Sequence, residues 1–300
     1  MRRYSLIAVL LAYVFILSPT TAFGGATRLP VFVSIVPQKY FLEKIGGGFV
    51  EVSLMVRPGA SPAVYEPKPA QMVALSRAKI YFAVGVPFEA VWLDKIAVAN
   101  PNLIIVHTEK GIQKRLMEDH HHRDEGDANH EKKDEHHQIK DPHIWLSPPL
   151  AMVQARNILD ALCRIDPSHG ADYEANYKQF IIEVVDLDAE VRGVFAGSGR
   201  GMGFMVFHPA WGYFAEAYGL EQIPIEMEGK EPKPAELQGL IEDAQHRGIK
   251  VIFVQPQFSA KSAKTIAKAI GGEVAYADPL AVDWAQNLRK QAATFKAALR

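Results

Sequence analysis

Three polar residues stand where strand-like runs end. His208 follows FMVF, Asp278 follows EVAYA and precedes Pro279, and His143 sits in DPHIWLSP between a proline and an apolar turn. Each alone reads as a hydrogen-bonded cap or a buried imidazole. Together they form a nitrogen and oxygen donor set suited to a divalent metal, because neutral imidazole ligates borderline ions such as zinc and a carboxylate cancels part of their charge. Their separations exclude a local finger but allow convergence across a cleft. In open parallel sheets ligands bind beyond the carboxyl ends of the strands, where these residues fall.

The histidines are unevenly spread. Of the 11, six (His120, His121, His122, His130, His136 and His137) lie in EDHHHRDEGDANHEKKDEHH. That segment has no apolar face, so residues 118–140 are expected to form a disordered, solvated loop. Imidazoles interleaved with carboxylates offer weak, exchangeable sites for zinc-like ions and make these six a secondary metal set; a trap for calcium or magnesium would use carboxylates alone. The one cysteine, Cys163, excludes an intrachain disulfide and a cysteine-based zinc site. Its apolar setting in ILDALCRI reads as a buried core thiol.

The elements that must position the donors come next. A chain of 300 residues, 48% hydrophobic and 22% charged, has material for a large core and for about two domains. A formal net charge of -1 provides no basic face for nucleic acid. Residues 1–26 combine Arg2 and Arg3, an apolar run from Leu6 to Leu17 and small residues after it, the pattern of a cleaved secretory signal peptide. The run is short of the roughly 20 residues that span a bilayer. With no cysteine near the cleavage region, lipid attachment is not expected, and the periplasm is the expected location.

From Leu29 onward, strand-like PVFVSIV, VEVSLMV, YFAVGV and NLIIVHT run with helix-like PQKYFLEKIGG and AQMVALSRAKI between them. This is a βαβ pattern, and it predicts a parallel sheet. SPPLAMVQARNILDALCRI reads as a helix. Residues 167–197 then lack proline after Pro167 and predict one long helix, roughly 45 Å at about 1.5 Å per residue, able to join two lobes. FMVFH, QIPIE, VIFVQ and EVAYAD, with helical segments between them, repeat the α/β logic. The expected fold is α/β, with two parallel-sheet lobes joined by one long rigid helix and a metal site in the interlobe cleft. The expected division is a signal peptide at 1–26, a first lobe at 27–166, a linking helix at 167–197 and a second lobe at 198–300.

GASPAVYEPKPAQM, the His-rich insertion, DPHIWLSP, FHPAWGYFAEAYGL, EGKEPKPAEL and YADPL occur in this order from about residue 29 to the C-terminus. Together they resemble the zinc and manganese solute-binding proteins of bacterial ABC importers, especially the zinc-specific periplasmic branch. The resemblance implies a monomeric receptor, not an enzyme, with Zn2+ as transported ligand and an inner-membrane permease as partner. It implies a stiff linking helix with modest closure. It makes His143, His208 and Asp278 ligands; His208 resembles the zinc branch, since the manganese branch usually has glutamate there. One departure stands out. Where the family motif reads Gly-x-x-Pro-His, this chain has Ala63, and a methyl group ligates nothing. The fourth position then falls to water, to His136 or His137, or to Tyr65 or Glu66, in that order.

Other readings remain open from sequence. Two histidines and a carboxylate also suit a non-haem iron or hydrolytic zinc enzyme, though no HExxH helix or GxSxG elbow accompanies them. A manganese or iron receptor and a metal-dependent adhesin share the scaffold. Trp145, Trp211, Tyr213 and Phe214 read as core walls around the pocket. Glu228, Lys230 and Glu231 read as a solvated loop entering a helix at Pro234, and Glu216 and Asp283 have no strong claim.

Overall fold

Each half of the chain builds a four-stranded, all-parallel sheet. The computed structural model describes residues 28–117, 139–199, 201–226 and 230–299. The expected signal peptide, Glu228 and the six clustered histidines lie outside the described residues. The first lobe contains β1 (Leu29–Val33), α1 (Val36–Gly46), β2 (Val50–Leu54), α2 (Pro69–Leu75), β3 (Ile80–Ala83), α3 (Pro87–Ala99) and β4 (Ile104–His107). Its strand order is β2-β1-β3-β4. A 3-10 turn at Ile144–Leu146 leads into α4 (Pro148–Ile165), and α5 (Gly170–Val194) follows.

The second lobe repeats the plan with β5 (Met202–Val206), α6 (Gly212–Tyr218), β6 (Leu220–Pro224), α7 (Pro234–His246), β7 (Val251–Val254), α8 (Lys261–Ala269), β8 (Glu273–Tyr276) and α9 (Trp284–Ala298). The order β6-β5-β7-β8 matches that of the first sheet. In both sheets the first strand has its next two strands on opposite sides, which opens a crevice at its carboxyl end.

Sequence and structure differ in informative ways. The helix expected over AQMVALSRAKI stops at Leu75, because Ala78 N–H turns back to Leu75 and Lys79 N–H pairs with the Pro30 carbonyl, feeding the chain into β3. Helix α3 is an addition to the expected elements. It opens on Pro87 at its first turn, and its buried positions Phe88, Glu89 and Ile96 make no regular apolar stripe. Cys163 is half-buried and not the buried thiol expected, since its helix leaves the sulfur at the edge of the core, 3.8 Å from the Gly170 carbonyl.

Helix α5 has 25 residues, about 38 Å at 1.5 Å each. Its buried residues Tyr173, Phe180, Val184, Leu187 and Val191 recur at helical spacing and share a core with both lobes. Alternation along β5 divides the interior of the second lobe. Phe204 and Val206 face the shared core, whereas Met205 and Phe207 face a separate cluster with Ile225, Ile252 and Ile266. Trp284 at the start of α9 packs edge-on against Phe41 of α1, with ring centroids 4.9 Å apart. Its indole donates to the Trp145 carbonyl at 2.7 Å, and the Trp145 indole donates to the Pro279 carbonyl at 2.8 Å. The lobes are thus tied by buried hydrogen bonds as well as by α5. Among the described residues no helix is long and apolar enough to cross a membrane.

Candidate metal centre

Strand register places the second-lobe part of the centre. Val206 at the end of β5 is paired with Pro224 on one side and with Phe253 on the other. Two residues further along each path stand His208, Glu226 and Gln255, side by side beyond the strand ends. Gln255, fully buried, accepts from the His208 backbone N–H at 3.1 Å and donates to its carbonyl at 2.7 Å. The His208 ring lies over Phe258, with centroids 4.7 Å apart. Its Nδ1 is 2.6 Å from Glu226 Oε1.

His143 is fixed from the first-lobe side. Asp141 Oδ1 accepts from the His143 backbone N–H at 2.9 Å and meets its Nδ1 at 2.7 Å. The Asp141 carbonyl accepts from the Tyr213 hydroxyl of α6 at 2.9 Å, and that hydroxyl accepts from Arg115 N–H at 3.0 Å. Burial lowers the pKa of His143 against the opposing pull of Asp141, which keeps the ring neutral and fit to ligate.

Each imidazole therefore has a carboxylate behind it. A carboxylate only accepts, so the proton of each ring sits on Nδ1 and the Nε2 lone pairs face the cleft. Those two Nε2 atoms are 3.3 Å apart. Two lone pairs aimed at each other repel unless a proton or a cation lies between them. Two nitrogens at about 2.0–2.1 Å from one tetrahedral ion are about 3.3–3.4 Å apart, so the spacing fits a zinc edge. Asp141 and Glu226, with 2% and 3% exposure, supply two acidic groups to set against a divalent charge.

Asp278 is placed differently. Its Oδ1 accepts from Leu280 N–H at 2.9 Å and from the Gln257 amide at 3.1 Å. Among the described residues no three His, Cys, Asp or Glu side chains are grouped closely enough to hold an ion together. The neighbours of Asp278 nonetheless reach the cleft: Gln257, Phe258, Pro279 and Leu280 form one wall with His208. Ser61, Pro62, Ala63, Val86 and Pro87 form the other, and Met117, Trp145 and His143 complete the lining. Position 63 thus lines the same cleft as His143 and His208. Of the four aromatics, Trp145 lines the cleft, whereas Trp211, Tyr213 and Phe214 are buried in the core.

The first-lobe wall has its own support. Glu89, at the start of α3, accepts from Val84 N–H at 3.0 Å, Gly85 N–H at 2.7 Å and the Ser34 hydroxyl, holding the turn that carries Val86 and Pro87. Phe88 N–H donates to the Pro62 carbonyl at 3.2 Å and links that turn to the loop bearing Ala63. Burial pushes the Glu89 carboxyl up to about 6. Gly85 has φ of 80°, a left-handed conformation that glycine adopts without strain. The remaining residues weighed from sequence are peripheral. Asp283 caps α9 by accepting from Gln286 N–H, Glu216 lies 3.7 Å from Arg115, and Glu231 accepts from Ser262 at 2.8 Å.

The sequence reading missed Asp141, Glu226 and Gln255. Asp141 had a signal, being two residues before His143 with a proline between. The other two become neighbours of His208 only through strand register, which a single sequence does not specify.

Comparison with known proteins shows the family of the chain. Residues 31–298 match the family model described as ZnuA, zinc-uptake complex component A, periplasmic. The chain is 30% identical over 250 residues to the high-affinity zinc uptake system protein ZnuA of Bacillus subtilis, covering 82% of this chain and 76% of that protein. It is 28% identical over 266 residues to the zinc-binding protein AdcA of Streptococcus pyogenes, spanning 84% of this chain but only 50% of that longer protein. A crystal structure of ZnuA superposes with a TM-score of 0.82 at 41% identity, covering 91% of this chain and 100% of that one.

Proposed function

The chain belongs to the periplasmic zinc-uptake component A family, and from that premise we propose that it is the receptor that binds Zn2+ and delivers it to an ABC-type permease. The observation that carries the reading is the convergence of the His143 and His208 Nε2 atoms to 3.3 Å, each backed by a carboxylate. The family is one of transport receptors and not of enzymes. Zinc is the cargo, so the site must grip it reversibly.

The two imidazoles come from different lobes, so relative movement of the lobes separates them. Docking on a permease in the inner membrane would release the ion in this way. Asp278 serves as the third ligand by exchanging its bond from Gln257 for the metal; its place beside the wall residues Pro279 and Leu280 supports this. With Ala63 in the family's histidine position, the fourth ligand is not an imidazole from that loop. The mature receptor is a monomer of residues 27–300, exported to the periplasm through the cleaved leader 1–26, with lobes at 27–166 and 198–300 joined through 167–197. His120, His121, His122, His130, His136 and His137 gather zinc for the receptor as a secondary, weaker set.

Zinc titration of the wild type against His143→Ala/His208→Ala tests the reading. The cleft site should vanish in the double variant, leaving only weak binding. Unchanged tight binding would reject the reading. Deleting 118–137 should lower zinc stoichiometry while sparing the tight site; unchanged stoichiometry would remove the loop from the account.

A further inference from the structure

We propose that Tyr213 is a positioning residue for the metal site: its second-lobe hydroxyl, wedged into a first-lobe strand pair, holds Asp141, and through it His143, in the ligating position only while the lobes are together. This role rests on the zinc reading above and specifies how lobe movement reaches a ligand.

Residues 115–117 run antiparallel to residues 139–141. Leu116 is bridged to Lys140, Met117 N–H donates to the Ile139 carbonyl at 2.8 Å, and Asp141 N–H donates to the Arg115 carbonyl at 2.9 Å. Arg115 and Asp141 are thus directly opposed, and such a pair ordinarily exchanges two direct bonds. Here the return path runs through the second lobe: the Tyr213 hydroxyl accepts from Arg115 N–H at 3.0 Å and donates to the Asp141 carbonyl at 2.9 Å.

The wedge is closely fitted. Tyr213 is 5% exposed, and α6 approaches so near that a Cβ added at Gly212 would stand 2.8 Å from an Arg115 guanidinium nitrogen and 3.3 Å from Asp141 Oδ2. Burial pushes the Tyr213 phenol up to about 12, so the proton for the Asp141 bond stays in place at neutral pH.

The strand pair leads straight to one ligand. Asp141 Oδ1 meets both the backbone N–H and the Nδ1 of His143, so the place of Asp141 sets the place of the ring. His208 has no such link, because Gln255 and Glu226, which hold it, belong to its own lobe. When Tyr213 withdraws with its lobe, the buried Asp141 carbonyl must find another donor. Pairing with Arg115 N–H or with water draws Asp141 aside and loosens its hold on Nδ1. Lobe opening then weakens His143 as a ligand as well as parting it from His208.

Tyr213→Phe in the full chain keeps the ring and deletes the hydroxyl. Zinc release into excess chromophoric chelator, followed by stopped flow, should be about tenfold faster, because two bonds are lost from the closed state. Asp141→Ala keeps the carbonyl but cuts the path to His143; in that background the same substitution should change release by less than about twofold. By NMR of the zinc-loaded chain, the His143 Nδ1 proton should exchange with water about tenfold faster in Tyr213→Phe, with the His208 Nδ1 proton unchanged. A hydroxyl that only glues the lobes would act equally in the Asp141→Ala background and on both rings. Either of those results, or release by Tyr213→Phe within about twofold of wild type, would overturn the proposal and leave the receptor reading intact. His143→Ala/His208→Ala releasing zinc as slowly as wild type would instead bring down the receptor reading itself.

Discussion

Glu226→Gln isolates the role of the carboxylate behind His208. Glu226 is 3% exposed and its Oε1 is 2.6 Å from His208 Nδ1, so the near-isosteric amide fits the same space. Only two orientations are open to it. With its oxygen towards the ring, the proton stays on Nδ1 but the negative charge that strengthens the imidazole as a ligand is gone. With its amino group towards the ring, the proton is forced onto Nε2 and the lone pair leaves the cleft. Removing the outer partner of a metal-bound histidine typically costs 10–100-fold in affinity, about 1.4–2.7 kcal/mol. Competition against a chromophoric chelator at neutral pH measures that loss directly. In a His208→Ala background the same substitution should change little, because its effect passes through the ring. Affinity within about twofold of wild type, or an undiminished effect without His208, would refute the reasoning.

Asp278→Asn keeps an oxygen for Leu280 N–H but removes the charge, so zinc affinity should fall about tenfold or more by calorimetry; equal affinity would strike Asp278 from the ligand set. Trp145→Phe deletes the donor to the Pro279 carbonyl between the lobes and should lower stability to urea by about 1–3 kcal/mol, an expectation that coincident unfolding curves would contradict. Glu89 gives a pH signature. Its carboxyl, at about 6 when folded against an ordinary 4.5, binds its proton more tightly in the fold, so this group favours the native state at low pH. Its contribution is lost as pH rises from about 4.5 to about 6, a change of about 2 kcal/mol. Glu89→Gln should remove that slope, and identical pH dependence of the two proteins would show that the carboxyl does not titrate there.

Much of the architecture is legible in sequence because parallel strands buried on both faces are continuous apolar runs. YFAVGV and VIFVQ announce β3 and β7 without knowledge of their neighbours, and NLIIVHT announces β4 by its β-branched run although that edge strand is partly exposed. Helix α5 is legible for a different reason: more than twenty residues without a breaker leave the chain no other regular option. Helix α3 is not, since its apolar residues are scattered and its packing is set by tertiary contacts. The site divides in the same way. His143 and His208 stand out because imidazoles follow strand-like or proline-bounded runs. Glu226, 18 residues from His208, and Gln255, 47 residues away, are drawn in by the pairing of Val206 with Pro224 and Phe253. A one-residue slip of either strand would turn those side chains to the opposite face.

The most direct measurement is an anomalous difference map collected at the zinc edge from crystals grown with one equivalent of zinc. The account predicts a dominant peak about 2 Å from both His143 Nε2 and His208 Nε2. A dominant peak bonded to neither imidazole would contradict it.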